Sequence, residues 1–399
     1  MKILVLSRYY SPVVGGAELV AQQLAEEMAR RGHQMTVVTG SETARHNHQL
    51  NGVTVVCLPS FHPKQISIES RKLFERDMEA ILEQSAPDAL HGHNMALPFD
   101  IDRSLVAFRL SQKFQIPFIL HAHDAQAREP EKTQKIAQLR WGKIVTVSQY
   151  GKDAYLRQGA NQATVQVIYN AVDPDAFHPR VQIQHPLIRS LKEQLGGRLS
   201  VLFPGRLASM STGKYQEQKR FRTVLRALPA IVEQYPTIML LAPVNRQDVP
   251  SEQLEKTLAD FRHEIVSLGL KNHVLFIEQV AHEFVPQLLQ LAQISCLPSF
   301  RESFGIAHVE AMSMEKIVFA GNSGGPKEII THGKTGYLVD SDDHEGLARI
   351  LCKIIETLPA QKGVGRAART SVLQRFSIGR QADQFEAIYR EVIQRGVFV

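Results

Sequence analysis

Short apolar runs alternate with longer amphipathic stretches along most of the chain. Residues 2–7 read as a buried strand, 11–16 as a glycine-containing loop, and 17–31 as a helix. In that helix Leu19, Leu24 and Met28 fall near helical spacing, and Gly32 ends it. The runs 35–39, 53–58, 89–91, 118–122 and 143–147 continue the strand series, with an amphipathic helix over 65–84. Such alternation implies a parallel sheet with helices on both faces. The segment 178–197 carries Pro179, Pro186 and Gly196-Gly197 and has little strand character, so it reads as a linker. The pattern then restarts, with strands at 199–203, 237–242, 274–276 and 294–297 and helices at 221–234, 252–268 and 282–292. The expected architecture is α/β: two Rossmann-like domains with parallel sheets facing a central cleft, over 1–180 and 199–375. Ligands of open parallel sheets bind beyond the carboxyl ends of the strands, so the loops after strands are the informative positions.

Composition narrows the class. A length of 399 residues suits two large domains, and 44% hydrophobic content with a net charge of +6 excludes a disordered chain. The basic residues are not gathered on one element, so a nucleic acid is not expected as a partner. Cys57, Cys296 and Cys352 form neither a disulfide framework nor a metal-ligand spacing, which favours a reducing, cytoplasmic setting. No signal peptide is read at the start, and no apolar run approaches the roughly 18 residues of a membrane span.

The segment 297–339 carries the strongest chemical signal. Glu302 follows a strand. Ser303 suits a helix N-cap, which would place Phe304, Gly305 and Ile306 in the first turn. Free amides there, at the positive end of the helix dipole, suit a phosphate. Glu310 lies one turn beyond Ile306 on the same face. Amides for a diphosphate beside carboxylates for hydroxyls fit a nucleotide sugar. Two glutamates eight apart are commonly just solvated, and it is the surrounding pattern that gives this pair its weight. Ser323-Gly324-Gly325 precedes another helix start and suggests either close backbone approach to a ligand or a plain turn. Arg206 follows a β-run, where it would hold a diphosphate or make a surface ion pair. Lys219, or in competition Lys214, would supply the second cation. In the first half, Gly15-Gly16 opens a helix after the first strand. The dinucleotide fingerprint, the P-loop and the G-x-S-x-G elbow are absent. His91 and His93, and His121 and His123 with Asp124 beside them, form two H-x-H pairs, each on one face of a strand. Metal ligation, substrate contact and core hydrogen bonding are the readings open to them. A metal is not expected, because no cysteine or further carboxylate completes a set.

These residues together resemble retaining glycosyltransferases of family 4, which have the GT-B fold. Glu302 through Glu310 is similar to the family's E-x7-E signature, and Gly205-Arg206-Leu207 with Lys219 resembles its paired donor-phosphate cations. Gly15-Gly16 resembles its first glycine loop, and His123-Asp124 its active-site histidine. Ser148, the segment 168–173 and the last helix, about 376–395, which crosses back to the first domain, resemble further family features. Glu315 stands where the family usually has glycine, Ala171 departs from its Asn-Gly-Val-Asp, and Ala242-Pro243-Val244 replaces a usual glycine.

The resemblance implies transfer of a sugar, a hexose by expectation, from a nucleotide-diphosphate donor to a glycan, lipid-linked or small-molecule acceptor in polysaccharide biosynthesis. It implies no metal and no cofactor. Arg206, Lys219 and the amides of Ser303, Phe304, Gly305 and Ile306 would hold the diphosphate, approached by Gly15 and Gly16. Glu310 would hold the ribose, and Glu302 and His123 would orient the sugar. A nucleotide-sugar epimerase and a non-catalytic binding module are the alternatives. Basic residues beside apolar ones in 65–84 and 103–114 suggest peripheral contact with the inner face of a membrane.

Overall fold

The apolar runs become the strands of two parallel-dominated sheets. The computed structural model describes residues 1–11, 15–62, 64–65, 67–95, 101–125, 130–209, 212–246, 249–278 and 280–396. The chain divides into two compact units, Met1–Ala171 with Ile378–Val399, and Val172–Ser377.

The first unit contains β1 (Lys2–Leu6), β2 (Gln34–Gly40), β3 (His46–Leu50), β4 (Val53–Leu58), β5 (Ala89–His93), β6 (Phe118–Ala122), β7 (Lys143–Thr146) and β8 (Val165–Val167). Their order is β3-β4-β2-β1-β5-β6-β7-β8, and only β3 runs antiparallel to its neighbour. From β4 to β7 this is the Rossmann order 3-2-1-4-5-6, whose switch point lies between β1 and β5. Both faces are covered. Leu4, Leu6, Phe74 and Trp141 pack on one side. Ile3, Val5, Met28, Phe385 and Tyr389 pack on the other, so the final helix, Ile378–Arg395, belongs to this core.

The second unit contains β9 (Ser200–Leu202), β10 (Met239–Val244), β11 (Val274–Glu278), β12 (Ile294–Leu297), β13 (Ile317–Gly321) and β14 (Tyr337–Val339). The order β11-β10-β9-β12-β13-β14 is all parallel, and its switch point lies between β9 and β12.

Two expectations need correction. The segment read as a linker contains the helix Pro186–Leu195, whose Ile188, Leu191 and Leu195 are buried, and the second unit already begins at Val172. The prolines mislead because Pro186 sits in the first helical turn, where its missing N–H costs nothing. β3 went unread, because its residues HNHQ are polar and exposed. Its signal was the turn Asn51-Gly52, with φ of +48° and +81°, the Asn-Gly pair that closes two-residue hairpins.

The basic helices of the first unit carry both paired and unpaired cations. Arg103 is buried and donates to the Ser60 carbonyl and the Ser70 hydroxyl. Arg71 pairs with Asp102 at 2.6 Å, and Arg109 and Lys113 pair with Glu75 and Glu79. Arg71, Arg109 and Lys113 thus join helices Ile68–Ser85 and Ile101–Lys113, while Lys72 and Arg76 are exposed and make no ion pair among the described residues.

Candidate functional site

In the second unit the candidate residues gather at the switch point. β9 and β12 are hydrogen-bonded neighbours, so the loops leaving their carboxyl ends start side by side. Arg206 follows β9. It is half-buried and makes no ion pair among the described residues. Glu302 follows β12, and Lys219 lies at the end of the turn Glu217–Lys219, before the helix Phe221–Gln234.

The Lys219 ammonium reaches the Glu302 carboxylate at 2.6 Å, with both side chains mostly buried. Burial would raise the Glu302 carboxyl, but Lys219 outweighs it and holds the group below the usual carboxylate range. His308 lies beside this pair, fully buried, with neither ring nitrogen partnered. Burial, opposed by Glu302, pushes its imidazole down to about 4, so it is neutral at physiological pH. Lys214 is exposed in the loop closed by the Ala208–Tyr215 bridge. The structure therefore brings Lys219, and not Lys214, to Glu302.

The helix that follows differs in its start. It spans Ile306–Ser313, its N-cap is Gly305 with φ of +102°, and Ser303 lies outside it. Phe304 is not a first-turn residue either. Its ring is buried and meets Phe376 edge-on at 5.8 Å. A side chain at Gly305 would be strained, and a Cβ there would come within 2.5 Å of the His308 ring. The N–H groups of Ile306 and Ala307 have no partner among the described residues and form the open end of the helix dipole.

The glycine pair Gly324-Gly325 makes a close approach, but to the chain's own backbone. A Cβ on Gly324 would lie 2.3 Å from the Glu302 carbonyl, and one on Gly325 would lie 2.5 Å from that of Ser303. The Gly325 amide donates to the Glu302 carbonyl at 2.8 Å, and the Arg301 amide to the Ser323 hydroxyl at 2.8 Å. The glycines thus clamp the loop that carries Glu302.

Glu310 lies one turn inside the helix and is 5% exposed. A buried carboxylate requires a partner, and His282 Nε2 supplies one at 2.8 Å. Burial would lower the His282 imidazole, but Glu310 outweighs it and raises it. Sequence reasoning missed His282. It lies 28 positions from Glu310, and its only local signal was its place in the loop after β11.

In the first unit, Gly15 caps the helix Gly16–Arg30, and a Cβ on Gly16 would meet nothing within 4 Å among the described residues. The H-x-H pairs sit at the ends of β5 and β6, where His93 is in register with His121. His93 Nδ1 meets His123 Nε2 at 2.9 Å, and the His123 amide donates to Asn94 Oδ1 at 2.8 Å. His91 Nδ1 meets the Tyr389 hydroxyl at 2.7 Å. Burial pushes His91 and His123 down to about 3, and His93 and His121 well below their ordinary value. These are neutral imidazoles, and His123 is seated by His93 and Asn94.

Residues 202–371 match the family described as "Glycosyl transferases group 1", and residues 14–176 match "Glycosyltransferase Family 4". Among curated relatives, N-acetyl-alpha-D-glucosaminyl L-malate synthase of Bacillus anthracis is 24% identical over 96% of each chain. Among solved structures, Anabaena HepE in complex with UDP and glucose superposes with a TM-score of 0.75 at 21% identity, covering 97% of this chain and 98% of that one. The sucrose-phosphate synthase of Thermosynechococcus elongatus gives 0.79 at 20% identity over 98% and 99%. The fold is the one these transferases share.

Proposed function

Because the chain belongs to glycosyltransferase family 4 and acts on nucleotide sugars, we propose that it moves a hexose from a nucleotide-diphosphate donor to a glycan, lipid-linked or small-molecule acceptor, with retained anomeric configuration and without a metal at the diphosphate. The observation that carries this reading is the grouping of Arg206, the Lys219–Glu302 pair and the open Ile306 and Ala307 amides around one switch point. Leaving-group departure builds negative charge on the diphosphate. Fixed cations and amides stabilise that charge more in the transition state than in the ground state. Each tenfold in rate needs about 1.4 kcal/mol, so two charge-assisted contacts supply several powers of ten. Glu302 holds Lys219 in place and accepts a sugar hydroxyl, and Glu310, fixed by His282, accepts from the ribose. The role that resemblance gives His123 is to orient the sugar.

A relative's structure with UDP makes UDP-hexoses the first donors to test. The experiment is transfer with a panel of nucleotide sugars and acceptors, the product anomer read by NMR, with and without EDTA. Retention and insensitivity to EDTA are expected. Inversion, or activity abolished by EDTA and restored by Mg²⁺ or Mn²⁺, overturns the reading. Donor consumed with no acceptor product points to an epimerase, and binding without turnover points to a silent module.

For a lipid-linked acceptor, contact with a membrane would rest on exposed Ile68, Leu73 and Leu105 together with Lys72 and Arg76, which are exposed and make no ion pair among the described residues. Vesicle sedimentation should therefore rise with anionic lipid content. Sedimentation independent of anionic lipid would remove the membrane contact.

A further inference from the structure

β3 is an edge strand of the first sheet, and two of its exposed positions are histidines. Strand residues two apart share a face, so His46 and His48 point the same way. The antiparallel register sets His46 opposite Cys57 and His48 opposite Val55 on β4. Directly opposed residues also share a face. That face is the one on which Val53, Val55 and Cys57 meet the core, so at the sheet's edge the core surface ends in two imidazoles and a thiol. One ligand atom from each of the three lies within 4.8 Å of the other two. His46 Nδ1 meets the Ala44 carbonyl at 3.0 Å. A histidine that donates one ring N–H to a backbone carbonyl keeps the lone pair of its other nitrogen, the arrangement by which metal-binding histidines are oriented.

We propose that His46, His48 and Cys57 form a binding site for a zinc-like d-block cation, with water as fourth ligand. Two neutral imidazoles and a thiolate are the donor set such borderline ions prefer in tetrahedral geometry. Metal–nitrogen and metal–sulfur bonds of about 2.0–2.3 Å place donor atoms roughly 3.5 Å apart. Rotation of the two exposed histidine side chains supplies that contraction, while the hairpin fixes their Cα positions. On binding, the Cys57 S–H bond breaks, the sulfur–metal bond forms and the proton leaves to solvent. Because the thiol must lose its proton to bind, affinity should increase with pH. The site shares no residue with the proposed transfer machinery, so it stands whether or not that reading does.

The test uses the reduced full-length chain titrated with Co²⁺ as a spectroscopic probe, followed by Zn²⁺. Expected are one equivalent per chain, a near-ultraviolet thiolate-to-cobalt charge-transfer band, loss of that band on adding Zn²⁺, and release of about one proton per metal. Cys57→Ser should abolish the band. His48→Ala, at an exposed position, should leave the melting temperature unchanged and weaken binding by more than about tenfold, a loss reached even when only a group that orients a ligand is removed. His121→Asn should leave the band intact. The proposal is overturned by absence of the band in the wild-type chain. It is overturned equally if the band survives in the His46→Ala/His48→Ala double variant, or if His121→Asn removes it, which would move the metal to the buried histidines.

Discussion

Glu302 and Glu310 are not equivalent, because each answers to a different basic partner: Lys219 at 2.6 Å for the first, His282 at 2.8 Å for the second. Glu302→Gln leaves Lys219 without its anchor and shifts the reacting groups. kcat should fall by at least about tenfold, with a smaller change in donor KM. Glu310→Gln removes a charged acceptor, and charged hydrogen bonds contribute about 1.5–3 kcal/mol, so donor KM should rise by about tenfold or more. Steady-state kinetics decides, and equal losses of both kinds in both variants would refute the separate roles. The His282–Glu310 pair also has a pH signature. The folded imidazole is raised above its ordinary 6.5, so its stabilisation is fully present below pH 6.5 and is lost as pH rises through the raised value. The melting-temperature difference between wild type and His282→Gln should be largest in mild acid and shrink toward alkaline pH. A difference constant from pH 6 to 9 would contradict the charged pair.

At the scale of elements, the loop after β12 is held by backbone rather than by ligand-like side chains. Gly324 has φ of +69°, and a Cβ there would lie 2.3 Å from the Glu302 carbonyl, an atom that cannot swing aside. Gly324→Ala should therefore lower both the melting temperature and kcat, since the displaced loop carries Glu302. Glu315 offers the opposite test. It holds φ of +57° at the end of its helix, where the family usually has glycine. A left-handed residue costs about 1–2 kcal/mol, and glycine loses about 0.5–1 kcal/mol in chain entropy. Glu315→Gly should thus raise the melting temperature by a degree or more without changing kcat. A fall in stability would show that its side chain contributes more than its backbone costs.

For the whole molecule, the first unit contains four neutral imidazoles packed together at the ends of β5 and β6. His91 and His93 stack at 4.4 Å, and His121 and His123 lie tilted at 4.1 Å. Their folded values lie far below 6.5, so the unfolded chain takes up protons first as pH falls. Stability is intact above pH 6.5 and is lost as pH drops from there toward about 3, by roughly 1.4 kcal/mol per pH unit for each group that titrates only when unfolded. Melting curves between pH 7 and 4 should show the first unit unfolding progressively earlier, with His121→Leu reducing the slope. A melting temperature independent of pH over that range would exclude this account.

The alternation of apolar runs with amphipathic stretches was enough to place most strands and both Rossmann-like sheets, because burial on both faces leaves a strand few options but continuous apolar sequence. The spacing of Glu302 and Glu310 and the position of Arg206 after β9 were legible for a related reason: in parallel sheets the loops after strands are the ones that meet at the switch point. Three things were decided only in three dimensions. Gly324 and Gly325 approach the backbone of the Glu302 loop, because β12 and β13 are adjacent in register. Ser303 is not the helix N-cap, because Gly305 takes the left-handed turn that begins the helix and Phe304 is drawn into the core. Glu310 meets His282, and His123 meets His93, 28 and 30 positions away. Periodicity and capping preferences describe neighbours along the chain. Which buried carboxylate finds which cation depends on the order of strands in the sheet, which no local window contains.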